Sequence, residues 1–452
     1  MYIIEGWNIS MLSLNGLLND YLKLFGNTKL MTYLPKLIKT TFMYEFFHNF
    51  SIVFVYKFIS SILSTLIIIF MARTMGPSEY GNLSIINNIS VILFMPMILG
   101  ANNSMFKYLS PINREESKEF INTSIIGSTI FSIFMVIVLL GMYGNIPKRL
   151  DISVHNWRLA VLVTFALGMY SLTESFLRGM KDFSYIGKFK LTSTVINFIL
   201  IVLIFNITGG VNLEHYFVCF IISYLIFIVF ALKRTGIKIK ILKFSWEKAK
   251  VIYSYGAINT INMTLGTILF TCDIFFVNYF YDFHAAGIYS AYQGFAKNIF
   301  SILFYEIFMV VFLPSIAQMD KNRLYKQMKK IALLLFFVTC LVIGFITFVS
   351  IILFGKEYVL KLSYIILTAL SIGLYTVFNI YLNIYTMEGN NGAKMCTFPY
   401  LIVFPISILM QFYTTKYWGI TGTMLSVVLT NFILIFILKL FIIRFSNKKI
   451  IK

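Results

Sequence analysis

Lys297 stands inside an apolar run with Tyr289, Gln293, Ser301 and Tyr305, each four residues from the next. On a helix that spacing lays all five side chains along one slowly drifting face. A lysine in hydrocarbon is costly and belongs against a partner or a wet cavity, where it offers a compact point charge to a phosphate or an acidic sugar. The alternative is a snorkelling lysine whose ammonium reaches the interface. The preceding apolar run carries Asn259, Asn262, Gly266 and Asp273, and the steps of four and seven from Asn262 share a face. Asp273 can pair with Lys297 from the neighbouring helix, or titrate as part of proton or sodium coupling.

Lys57 lies near Ser60, Ser61 and Ser64 and either touches cargo or snorkels. Glu174 precedes Arg178 by four residues, the spacing of a helical ion pair, and is the second coupling or ion-pair candidate. Tyr375, Asn379 and Asn383 form a further stripe that suits sugar binding or helix packing, and Asn87 and Asn88 can serve a cavity or bond between helices. The four histidines are isolated, and the four cysteines sit far apart in apolar runs. That pattern provides neither a zinc site nor a disulfide framework. No catalytic constellation is evident, and no cofactor is expected.

The elements that must position these residues are membrane spans. Hydrophobic residues make up 59% of the 452-residue chain and charged residues 12%; the mean hydropathy is +0.82. A soluble domain has roughly 45–50% apolar and about 25% charged residues. The composition excludes a soluble enzyme, a disordered chain, a collagen and a coiled coil. Windows of about 20 apolar residues predict twelve helices at 50–72, 83–106, 121–143, 158–177, 190–207, 214–232, 251–279, 288–317, 329–354, 362–386, 396–413 and 418–442. The expected fold is an all-α, multi-pass membrane protein.

The formal charge of +20 follows from topology. With a cytoplasmic N-terminus, inside segments hold 28 Lys and Arg, outside segments seven and spans three. That asymmetry puts both termini in the cytoplasm and calls for no nucleic-acid partner. Residues 1–45 hold no span-length apolar run. Their segment 9–25 has helical periodicity suited to a membrane surface, and the competing reading is that translation begins at Met43.

Two halves of the chain look related. Gly81 and Ser84 align with Gly287 and Ser290, Leu109-Ser110-Pro111 with Leu313-Pro314-Ser315, Arg178-Gly179 with Glu388-Gly389, and Thr208-Gly209-Gly210 with Thr421-Gly422. An even number of spans per repeat keeps both halves in one orientation, as in one class of secondary transporter. The expected organisation is an N-terminal extension (1–45), an N-lobe of six spans (46–232), a basic interlobe loop (233–250), a C-lobe of six spans (251–445) and a basic tail (446–452). Ser245–Lys250 is expected to form an amphipathic turn before the seventh span.

The stretch Ala72-Arg73-Thr74-Met75-Gly76-Pro77-Ser78-Glu79-Tyr80-Gly81 resembles the polysaccharide-transporter branch of the MOP flippase superfamily, the Wzx-type O-antigen flippases. Their pattern there is A-R-x-L-G-P-x-x-Y-G, with Met75 at the Leu position. Asp273–Ser290 and Leu177-Arg178-Gly179 are similar to the same family, and the likeness covers about residues 46–445. Members often carry Arg in the eighth helix, where this chain has Gln293, and residues 1–45 have no counterpart.

The resemblance implies a MATE-like architecture of two six-helix lobes. It also implies a non-enzymatic flippase moving an undecaprenyl-pyrophosphate-linked oligosaccharide (an O-antigen, capsule or exopolysaccharide unit) across a bacterial inner membrane by alternating access. Membrane lipids, a polymerase and glycosyltransferases are the implied partners. The competing readings are a MATE-type ion-coupled antiporter, a membrane-embedded polymerase or glycosyltransferase, and a channel. A cation exporter would want an acidic cavity, whereas the named face carries a lysine. The outside loops are short for an enzyme, and a filter-like repeat is absent.

Overall fold

The structure is a computed structural model that describes residues 41–109, 114–142, 152–236, 243–308, 321–386 and 390–450. The expectations for residues 1–40 and for the chain end at 451–452 lie outside the described residues. The chain divides into an N-terminal unit, Met1–Ile52, and the main unit, Val53–Lys452. The described part of the former, 41–52, is helical.

Among the described residues the main unit is helical, with no strand. The apolar stretch Phe54–Met97 breaks at Gly76 (φ 71°, ψ 173°) into α1 (54–75) and α2 (77–97). A side chain would be strained at that φ, and Pro77, whose missing N–H is no loss at a helix start, begins the next helix. α2 therefore begins six residues before the predicted 83. A short turn with positive φ at Leu99 and Gly100 follows Pro96, and α2 resumes as Ala101–Leu109.

α3 (Arg114–Gly141), α4 (Val154–Gly179), α5 (Phe183–Thr208) and α6 (Leu213–Thr235) complete the first half. α7 runs from Trp246 to Thr271 and, after a 41° bend, from Asp273 to Phe280. α8 (283–308) contains wide turns at Ser290–Gly294 and Ser301–Phe308. α9 (Lys321–Phe354) and α10 (Leu362–Thr386) follow. The stretch Met395–Ile442 breaks at Gly419 into α11 (395–418) and α12 (420–442). The described residues thus form twelve helices, α1–α6 and α7–α12, all but α8 belonging to stretches long and apolar enough to cross a membrane.

Polar side chains start several of these helices. Ser153, Asn212, Ser245 and Asp282 each accept from the backbone N–H three residues on, which satisfies an otherwise orphaned donor. The expected turn at Ser245–Lys250 is the first turn of α7.

The two halves meet through backbone at the end holding the α1–α2 and α7–α8 junctions. A Cβ on Gly81 would lie 2.0 Å from the Phe283 carbonyl oxygen, and one on Gly287 1.8 Å from that of Pro77. The two glycines matched by the repeat therefore pack against each other's loops, at a separation no side chain permits. Tyr80 stands edge-on to Phe354 and Tyr358 beside them. The Tyr358 hydroxyl donates to the Ala72 carbonyl at 3.0 Å, and burial pushes that hydroxyl's pKa up, so it remains a donor.

At the opposite end the start of α7 lies on the first half. Ser104 Oγ donates to the Ile252 carbonyl at 2.6 Å, and Ile252 shares a buried cluster with Met105, Phe120 and Phe176. Between these two contact zones the halves enclose a cavity.

Candidate functional site

The cavity has a volume of about 1920 Å³. Pockets for drug-sized molecules run to roughly 300–1,000 Å³, so this space suits a larger guest. Both halves line it: Asn87, Asn88, Lys107, Lys190, Asn197 and Tyr216 from the first, and Asp273, Ser290, Lys297, Asn298, Asn379 and Asn383 from the second. Among the described lining residues the charged groups are three lysines and one aspartate. The wall is therefore net positive, and eight tyrosines share it with amides and hydroxyls.

Lys297 and Asp273 pair across α7 and α8. The α7 bend at Cys272 starts a new helical segment at Asp273 and turns its carboxylate toward α8. One oxygen, Oδ2, accepts from both Lys297 Nζ and the Tyr289 hydroxyl; the other accepts from the Ile274 backbone N–H at 3.0 Å. The pair is deeply placed, with Asp273 1% and Lys297 8% exposed. The Lys297 ammonium also lies 5.1 Å from the centre of the Phe270 ring, a cation–π distance. The geometry is that of a buried ion pair on the cavity wall rather than a lysine reaching for the interface.

Of the predicted α8 stripe, Tyr289, Lys297 and Ser301 face the cavity and Gln293 does not. The cavity-facing residues of α8 are Tyr289, Ser290, Gly294, Lys297, Asn298 and Ser301. Gln293 is fully buried behind that face, and its Nε2 donates to Ser371 Oγ of α10 at 2.8 Å. One residue rotates a helix by about 100°, and the wide turn at Ser290–Gly294 breaks the regular register. Hence Gly294 takes the position that four-residue counting gives to Gln293. Ser301 lines the cavity but donates to the Lys297 carbonyl at 2.9 Å. Tyr305 lies in the second wide turn, with its side chain outside the described residues.

Asn259 and Asn262 lie in the first segment of α7, with their side chains also outside the described residues. Asn379 and Asn383 face the cavity, and each bonds to its own helix through Nδ2, at 2.9 and 2.8 Å. Lys57 is buried and is absent from the cavity wall. Glu174 binds Arg178 through two contacts, at 2.6 and 3.1 Å, and the charges of Lys57 and Lys190 also act on it. That cluster belongs to the first half, and its Lys190 lines the cavity.

Lys107, Lys190, Asn197, Tyr216, Ser290 and Asn298 are among the lining residues that the sequence reading did not select. The two lysines entered it only as part of the positive-inside count, and the α8 residues were hidden by the register shift.

A family profile described as "Polysaccharide biosynthesis protein" matches residues 46–320. The chain belongs to this polysaccharide biosynthesis protein family. Solved structures with the same fold include a lipid II flippase MurJ in an inward closed conformation, 18% identical, covering 88% of this chain and 87% of that one, with a TM-score of 0.67. An inward-facing multidrug resistance MATE family transporter of the MOP superfamily is 14% identical, over 86% of this chain and 95% of that one, with a TM-score of 0.63. A MOP superfamily transporter from Pyrococcus furiosus, whose binding pocket is described as having reverse polarity, is 14% identical over 89% and 96%, with a TM-score of 0.54. No curated protein matches in sequence. The family match and the apolar helices make the chain a multi-pass membrane protein of the polysaccharide biosynthesis protein family, with the fold of these solved structures.

Proposed function

We infer that this member of the polysaccharide biosynthesis protein family is a flippase. It carries a polyprenyl-pyrophosphate-linked oligosaccharide from the cytoplasmic to the outer leaflet of a bacterial inner membrane, with both termini in the cytoplasm. The observation that carries this reading is the sign and size of the cavity. Three lysines against one aspartate, in about 1920 Å³ of amide-, hydroxyl- and tyrosine-lined space, suit a large anionic, sugar-bearing head group.

The physical task is desolvation. Each unpaired polar group moved into hydrocarbon costs about 2–7 kcal/mol, and bare charge far more. Asparagine amides and serine hydroxyls replace water around the sugar, and lysines replace counterions around the pyrophosphate, while the lipid tail stays in the bilayer. Among the substrate-facing residues of this reading, Lys297, Ser301, Asn379 and Asn383 stand on the cavity wall. Exchange of Lys297 for another cation at Asp273 is the step that couples transport to an ion gradient.

The movement is a rocking of α1–α6 against α7–α12 about the cavity, with the Gly81–Gly287 contact as the outer closure. A polymerase and glycosyltransferases act before and after this step on the same lipid-linked glycan. The antiporter alternative wants a wall that attracts a cation, and the net positive lining opposes it.

Deletion of the gene in its native cell tests the reading. Lipid-linked glycan should accumulate on the cytoplasmic leaflet and surface polysaccharide should fall, with both restored by the intact protein. Normal display in the deletion strain, with no accumulation, refutes it.

A further inference from the structure

Lys297 is held by Asp273, so the first contact with an anionic head group falls to another cation. Lys107, at the last turn of the α2 continuation, is exposed and lines the cavity. Among the described residues no carboxylate pairs with it. Its ammonium instead sits 3.9 Å from the centre of the Tyr255 ring, which comes from α7 in the other half and also lines the cavity. Tyr255 stands edge-on to Tyr108 at 5.9 Å. Tyr108 stacks on Phe120 at 6.2 Å, and a second lysine, Lys248, lies 4.7 Å from the centre of the Phe120 ring. The result is a ladder of three aromatic rings with a lysine at each end, spanning α2, α3 and α7 at the end of the cavity opposite the Gly81–Gly287 contact.

Resting on the flippase reading above, we propose that this ladder is a separate docking station for a glycosyl pyrophosphate, used before the cargo reaches Lys297. An ammonium carries three donors, and the Tyr255 face leaves its N–H groups free to turn toward a phosphate. The ring fixes the position of the cation without neutralising it, whereas the carboxylate beside Lys297 neutralises that one. Tyrosine rings supply the flat apolar surface that the C–H face of a pyranose stacks on, and the Ser254 hydroxyl stands beside them on the same wall. The station thus reads two features of the head group together, the negative charge and the adjoining sugar ring. A bare polyprenyl pyrophosphate uses only the first.

The test uses the full-length protein in lipid nanodiscs and two fluorescent probes, farnesyl pyrophosphate and farnesyl-pyrophosphoryl-N-acetylglucosamine. The intact protein is expected to bind the sugar-bearing probe more tightly. Lys107→Ala should weaken both probes at least tenfold and flatten the salt dependence of binding, with thermal unfolding unchanged. Tyr255→Phe keeps the ring and should bind like the intact protein; Tyr255→Leu should lose affinity and the preference for sugar. Wild-type affinity in Lys107→Ala, or a Tyr255→Leu variant that keeps both properties, overturns the station alone. Failure of the intact protein to bind either probe overturns the flippase reading along with it.

Discussion

Replacing Asp273 by Asn removes one charge and almost no volume. The amide oxygen can still accept from the Ile274 N–H, so the local helix start survives. Lys297, at 8% exposure, is left without its counter-charge. Breaking a buried pair by removing one partner costs about 3–5 kcal/mol. The Phe270 ring at 5.1 Å faces Lys297 with or without the carboxylate, so it leaves the difference unchanged and a loss of about 3–5 kcal/mol is expected. Against a total stability on the order of 5–15 kcal/mol that is a large fraction. Removing both charges, as in Asp273→Asn with Lys297→Met, should recover most of the loss, because apolar replacements of buried pairs are often neutral or stabilising. Chemical unfolding of the purified protein, run as a double-mutant cycle, measures this directly. An Asp273→Asn variant within about 1 kcal/mol of the intact protein, or a double variant no more stable than the single one, refutes the buried-pair account.

Gly287→Ala should abolish transport while the protein remains in the membrane, because its Cβ would meet the Pro77 carbonyl at 1.8 Å. Gly141→Ala, with nothing within 4 Å, should be neutral in the same transport and expression measurements. Gln293→Ala should lower thermal stability, through the lost Ser371 bond and the cost of about 1–3 kcal/mol for a buried unpaired group. It should leave probe affinity unchanged, and a loss of affinity would return Gln293 to the cavity. Glu174→Gln should cost about 1–3 kcal/mol in unfolding measurements, since Glu174 is only 15% exposed and the charges of Lys57 and Lys190 act on it besides Arg178. Ion-dependent transport that vanishes in Glu174→Gln would instead make it the coupling residue.

Twelve helices were legible because hydropathy over about 20 residues is a strong signal, whereas the start of α2 at Pro77 was not, since polar residues 78–82 dilute that signal. The Asp273–Lys297 pair was legible because intramembrane charges are few and each needs a partner. Two kinds of information were not. The four-residue rule failed at Gln293 because wide turns, which have no clear residue signature, displaced the face. Lys107 and Lys190 lie near span ends, where the positive-inside bias already accounts for basic residues. Only the fold shows that these two line an internal wall. The Gly81–Gly287 alignment carried more than it first showed, since the residues matched in sequence are those that touch across the two halves.

The central claim is that the lysine-bearing cavity carries an anionic glycolipid head group between leaflets. Purified protein in liposomes loaded with a fluorescent polyprenyl-pyrophosphate glycan, scored by quenching of the outer leaflet, tests it most directly. The account predicts protein-dependent exchange that falls sharply in a variant with Lys107, Lys190 and Lys297 all changed to Gln. Exchange at the protein-free rate, or undiminished exchange in the triple variant, contradicts it.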